Sequence, residues 1–242
     1  MSTGPAPTKK NTTKLLVNPA SLGGTLDNVS AAFFEGQLLT HTQRAETARW
    51  IAKRHGEPRA YADMFAPTAV DFRQGVRVFT GEVTKSAVGT AHILGEEACR
   101  ALILLEISES AVLNALEEAE QGIRKRVEES EEQNPDSMGW YCCGTCSISL
   151  WRHLIVGGVN WSERRLVAGQ KKLKAYRTDK GKWKRVPYWY TLLALSEMDG
   201  PAVREERRFA APGLERYLKR KAKADRNNKR RRAVAERVLA LC

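Results

Sequence analysis

Fifteen residues of this sequence, GWYCCGTCSISLWRH from Gly139 to His153, hold three cysteines, two serines, a histidine and two tryptophans. Read as a helix from Cys142 onward, Cys142, Cys146, Ser149 and His153 fall within about 60° of one another on a single stripe. Thiols and an imidazole so arranged can ligate a metal, supply a nucleophile with its base, or let neighbouring helices approach closely. The metal reading meets a distance limit: Cys142 and Cys146 are one turn apart, but His153 lies a further rise of roughly 10 Å away. Structural zinc wants four ligands, so no metal site and no cofactor is assigned. Cys146 is likewise too far from His153 to share a hydrogen bond, whereas Ser149 and His153, four residues apart, can meet. Cys146, Ser149 and His153 are therefore the catalytic candidates, with no orienting acid or oxyanion donor identified. The favoured reading of the stripe is packing, with small side chains between helices and His153 bonded to a backbone carbonyl.

Two other groups bear chemistry. Glu96 and Glu97 open the segment GEEACRALILL, where carboxylates either act as acid and base or complement the dipole of a first helical turn. Trp140, Tyr141, Trp151, Trp161, Trp183, Tyr188, Trp189 and Tyr190 can stack bases, enclose an apolar ligand or anchor a core. Trp161 and Trp183, in turns flanked by Arg or Lys, are the two expected at the surface.

The formal charge of +12 is unevenly spread. From Glu96 to Asp136 there are twelve acids and four bases, a net −8; Arg164 to Arg185 and Arg204 to Arg237 each carry +9. Such asymmetry points to a polyanionic partner, most often nucleic acid. The residues expected to contact it are Lys171, Lys172, Lys174, Arg177, Lys182, Trp183, Lys184 and Arg185, followed by Arg220, Lys223, Arg230, Arg231 and Arg232. On an outer helical face they would track phosphates without reading sequence, so DNA and RNA are not distinguished. The alternative is a solvated charged face balanced by the acidic segment.

The elements that position these residues read as helices. Residues 1–25 have the composition of a flexible tail, 26–222 of a helical domain, and 223–242 of a basic C-terminal helix. Within LDNVSAAFFEGQLL, Asn28 or Ser30 is a candidate cap, and Ala45, Ala48, Ile51 and Ala52 recur at helical spacing before Gly56. RVFTGE has the pattern of a short strand, but one isolated run does not make a sheet. From Leu94 an apolar helix, a short turn and a charged amphipathic helix recur three times. Glu97, Gly144 and Tyr188 mark equivalent points, at spacings of 47 and 44 residues, which suits helical hairpin repeats.

The stretch GKWKRVPYWYTLLAL, a Gly/Trp turn running into proline, aromatics and a leucine-rich helix, resembles a repeat of the α/α-toroid proteins of the prenyltransferase and squalene cyclase type. The resemblance covers Leu94 to Lys223 and implies inner helices lining a pocket; the chain carries no DxDD-type acid motif. HEAT-like solenoids, among them helical-repeat DNA glycosylases, have similar spacing. The expected fold is thus all-α, a partial toroid or short solenoid of helical hairpins. The leading functional reading is a nucleic-acid-binding helical-repeat protein. Its alternatives are a toroid-like enzyme or small-molecule binder with a pocket lined by Cys142, Cys146, Ser149 and His153, and a protein-interaction scaffold. Five cysteines, an odd number and three of them crowded together, are no disulfide framework, and no apolar run suits a membrane span. A cytoplasmic protein without a membrane partner is expected.

Overall fold

The computed structural model describes residues 16–84, 86–159 and 162–242. Among them the regular elements are ten α-helices and one 3-10 turn, so the chain is all-α as expected. In order they are α1 (Leu22–Phe34), α2 (His41–Ala52), α3 (Ala69–Gln74), α4 (Ala87–Leu105) and α5 (Ser110–Gln133). After the turn come α6 (Gly144–Ile155), α7 (Ser162–Ala175), α8 (Tyr188–Ser196), α9 (Pro201–Leu218) and α10 (Arg226–Ala240).

Residue patterning decides which helices go inside. In α5 only Val112, Ala115, Ala119, Ile123 and Val127 are buried, at spacings of three and four, which is one apolar stripe on a charged helix. Helix α8 (YWYTLLALS) buries seven of its nine residues because apolar side chains surround its axis, and α4 buries most of its length, Thr90, His92, Glu96, Glu97 and Arg100 included. Helices α4, α6 and α8 pair with α5, α7 and α9 as hairpins, and α4, α6 and α8 also pack on one another in sequence. Helices α1 and α2 cover α4, while α10 covers α8 and α9. The first and last helices then meet. Asp27 of α1 accepts from Arg226 and Arg230 of α10, and Arg237 donates to the Phe34 carbonyl at 2.6 Å. The path α1, α4, α6, α8, α10 is thus a closed circuit.

The centre of that circuit is ionic. Arg152 of α6, 2% exposed, donates to Glu97 of α4 and, at 2.9 and 3.0 Å, to both oxygens of Glu197 just beyond α8. Arg100 reaches Glu197 at 3.0 Å, and the Tyr190 hydroxyl donates to Glu97. Two guanidiniums against two carboxylates leave the cluster neutral, which is what allows it to be buried. Burial alone would raise the Glu197 carboxyl, but Arg152 and Arg100 outweigh it and hold it below the ordinary range.

Several expectations change. Residues 16–25, expected within the tail, belong to the folded part: Leu16 is buried and α1 starts at Leu22, capped by Ser21, whose hydroxyl accepts from the Gly24 amide, and not by Asn28 or Ser30. Residues 1–15 lie outside the described residues. RVFTGE forms a tight turn closed by one bridge between Arg77 and Val83, with Gly81 at φ +92°. A second such turn, bridged by Arg177 and Trp183, precedes α8 as the first precedes α4.

Candidate cysteine and histidine site

The loop before α6 is fixed from both ends. Trp151 Nε1 donates to the Gly139 carbonyl at 2.7 Å, and the Ser147 hydroxyl lies 2.8 Å from the carbonyls of both Tyr141 and Cys143. Cys142 sits in the left-handed region at φ +59°, an uncommon conformation for a non-glycine residue. Gly144 opens α6 where the chain passes close to residues 185–186: a Cβ there would lie 1.8 Å from the Arg185 carbonyl oxygen. Only glycine permits that approach.

This anchoring puts Cys143 at the helix N-cap, exposed, and Cys146 one turn in, buried, with their sulfurs 3.4 Å apart. Cys143, Gly144, Thr145 and Cys146 form a C-x-x-C pair, a signal present in the sequence but masked there by Cys142, which matches Cys146 at helical spacing. A cavity of about 450 Å³ opens onto both thiols, bounded by Glu82, Thr84, Ile93, Arg185 and Pro187. The Cys143 thiol is lowered to about 5, first by its hydrogen-bond interaction with Cys146, with the nearby His92 charge adding to it; the same interaction raises Cys146.

Behind the pair stands His92 of α4, 1% exposed. Its Nε2 is 3.0 Å from Glu96 Oε1, one turn along the same helix. The ring stacks on Tyr61 at 4.3 Å and meets the edge of Tyr141 at 4.8 Å, and those two tyrosine hydroxyls bond each other. Burial pushes the imidazole down, but Glu96 and the Cys142 thiol outweigh it and lift it to about 10. One ligand atom from each of His92, Cys142 and Cys146 lies within 4.8 Å of the others. His92 is not among the sequence candidates, although a His and Glu four apart on one helix is the signal that marks it.

The structure disperses the other candidates. Ser149 and His153 are both buried but do not meet: Ser149 Oγ faces the Ile93 carbonyl at 3.5 Å, and His153 Nε2 faces Glu120 of α5 at 2.9 Å. The stripe lies between helices, and only its Cys142 and Cys146 end reaches the site. Because α4 starts at Ala87, Glu96 and Glu97 are mid-helix and buried; they do not complement a helix dipole.

Of the basic residues, Arg177 forms a bidentate pair with Glu206, and Trp183, expected at the surface, is 5% exposed and donates to the same carboxylate at 2.8 Å. Arg230 binds Asp27 and lies 4.0 Å over the Phe79 ring; Arg231 donates to the Thr80 carbonyl and Arg232 to those of Leu218 and Arg220. Lys172 donates to the Asp136 carbonyl and Lys174 pairs with Glu205. Lys171, Lys182, Lys184, Arg185, Arg220 and Lys223 are exposed, with Lys182 over the Tyr188 ring and Arg185 reaching the Tyr176 hydroxyl. Trp161 lies outside the described residues. Among the described residues no helix is long and apolar enough to cross a membrane.

Comparison with protein-family models, with curated proteins and with solved structures finds no match to this chain.

Proposed function

We propose that the protein is a thiol–disulfide exchange catalyst, with Cys143 as the attacking thiolate and Cys146 as the resolving thiol. The observation that carries this reading is the 3.4 Å separation of the two sulfurs across a C-x-x-C turn, the first exposed and the second buried, both on a 450 Å³ cavity. Cys143 sulfur attacks one sulfur of a substrate disulfide, the S–S bond breaks, and one half leaves as a thiolate. Cys146 sulfur then attacks Cys143, closing the intramolecular disulfide and releasing the second half. The substrate gains the two electrons that the dithiol loses. Cytoplasmic residence, where thiols are kept reduced, belongs to the same proposal.

The test is trapping with a chromogenic aromatic disulfide. In a background in which the exposed Cys142 and Cys242 are replaced by Ser, Cys146→Ser should accumulate a mixed disulfide on Cys143, seen as one adduct by mass. The same background with Cys146 intact should release both halves and retain none. Adduct formation of equal rate and extent in Cys143→Ser would reject the assignment.

Nucleic-acid binding stands as a second proposal on a smaller surface than the sequence suggests, the exposed Lys171, Lys182, Lys184 and Arg185 with Arg220 and Lys223. Salt-titrated anisotropy with labelled DNA and RNA tests it. Lys171→Gln with Lys184→Gln should flatten the log–log slope by about 0.9 for each duplex phosphate that is no longer neutralised. An unchanged slope removes these lysines from the reading.

A further inference from the structure

Disulfide exchange gives His92, Cys142 and Glu96 no covalent part, although they converge on Cys146. We propose that His92, Cys142 and Cys146 bind a divalent, thiophilic metal ion, zinc(II) by the chemistry of the donors, with Glu96 orienting His92 from behind. Two thiols and an imidazole suit zinc among the common ions. Zn–S near 2.3 Å and Zn–N near 2.0 Å set ligand atoms roughly 3.3–3.8 Å apart in a tetrahedron. The three donor atoms lie within 4.8 Å of one another, so about one ångström of side-chain adjustment closes the set.

Two further observations point the same way. Glu96 Oε1 contacts His92 Nε2, the carboxylate–histidine arrangement that fixes tautomer and ring orientation in metal sites. The other oxygen, Oε2, is buried without a hydrogen-bond partner among the described residues. A carboxylate and two thiols around a single buried imidazole form an acidic group that a divalent cation neutralises. The fourth position belongs to water or an incoming ligand. Cys143, on the cavity side of Cys146, is left free for exchange. Three protein ligands with one open position are the arrangement of catalytic zinc sites.

The metal site shares Cys146 with disulfide exchange but adds His92 and Cys142, which take no covalent part in exchange, so variants of Cys142 and of Cys143 separate the two readings. The experiment takes the full-length reduced chain with zinc(II) alone and cobalt(II) alone. The expected result is one ion per chain, with tetrahedral cobalt bands and thiolate-to-cobalt charge transfer. Cys142→Ala, at an exposed position and so compatible with folding, should weaken zinc by more than the roughly 10–100-fold that losing an outer-shell partner costs. Glu96→Gln should weaken it about 10-fold. Cys143→Ser should retain the ion and the charge-transfer band while losing disulfide exchange. No ion uptake by wild type, or uptake indifferent to Cys142→Ala with circular dichroism unchanged, overturns the site. Loss of the band in Cys143→Ser overturns this ligand set.

Discussion

Arg152→Met removes one of two guanidiniums from a core that holds two carboxylates. Glu97 would keep the Tyr190 hydroxyl, and Glu197 would keep Arg100. The Arg152, Glu97 and Glu197 side chains are 2%, 10% and 14% exposed, so water does not replace the missing guanidinium. Breaking a buried pair by removing one partner costs about 3–5 kcal/mol. Methionine fills most of the aliphatic volume, which keeps the added cavity term small. For a chain of this length each kcal/mol lowers Tm by roughly 2–4 °C, so a drop of about 6–20 °C is expected. Adding Glu197→Gln restores charge balance, and the double variant should be less destabilised than the two single costs combined, by roughly 0.5–3 kcal/mol. Urea unfolding followed by far-ultraviolet circular dichroism measures both, provided the m-value holds constant. A loss under about 1 kcal/mol for Arg152→Met, at constant m, would refute the picture of a desolvated ionic centre.

Glu197 of this cluster, together with the separate Glu120–His153 pair, sets an acid limit. Glu197 and Glu120, held low by their Arg and His partners, contribute stability that is complete above the unfolded carboxyl value of roughly 4.3 and is lost as pH falls through the lower folded values. Urea midpoints between about pH 3 and about pH 7 should therefore fall toward acid, and less steeply in Glu197→Gln; equal slopes would sink this assignment. Gly144→Ala forces the start of α6 away from the Arg185 carbonyl, and a displacement on the order of 1 Å should slow disulfide exchange about 100-fold while the helical spectrum persists. An unchanged rate would mean that this close approach does not seat the cysteine pair. Because Cys146 belongs to both proposed chemistries, oxidising the C-x-x-C pair with a small disulfide should expel bound zinc. Stoichiometric retention of zinc in the oxidised protein would separate the two sites.

The sequence discloses α5 almost to the residue, because an apolar stripe on a charged helix leaves little choice of register. It discloses less of α4. The segment from Ala87 to Ile93 has no polar face to set a period and contains Gly89, so the pattern becomes legible only at Leu94 and leaves His92 outside it. Projecting the thiol stripe from Cys142 assumes a helix there already, whereas α6 begins at Gly144, and the useful pair is offset by one residue. Trp183 reads as exposed from its neighbours Lys182 and Lys184. In the bridged turn successive side chains alternate, so the lysines face water and the indole faces Glu206. The basic residues engaged in internal pairs have partners such as Asp27, 203 positions from Arg230, which no local pattern reveals.

The meeting of α1 and α10 ties the two ends of the described helical path together. An open array of hairpins can lengthen by duplicating one unit, since each unit touches only its neighbours. Here a fourth hairpin would carry α10 away from α1 and strip Asp27 of both its arginines.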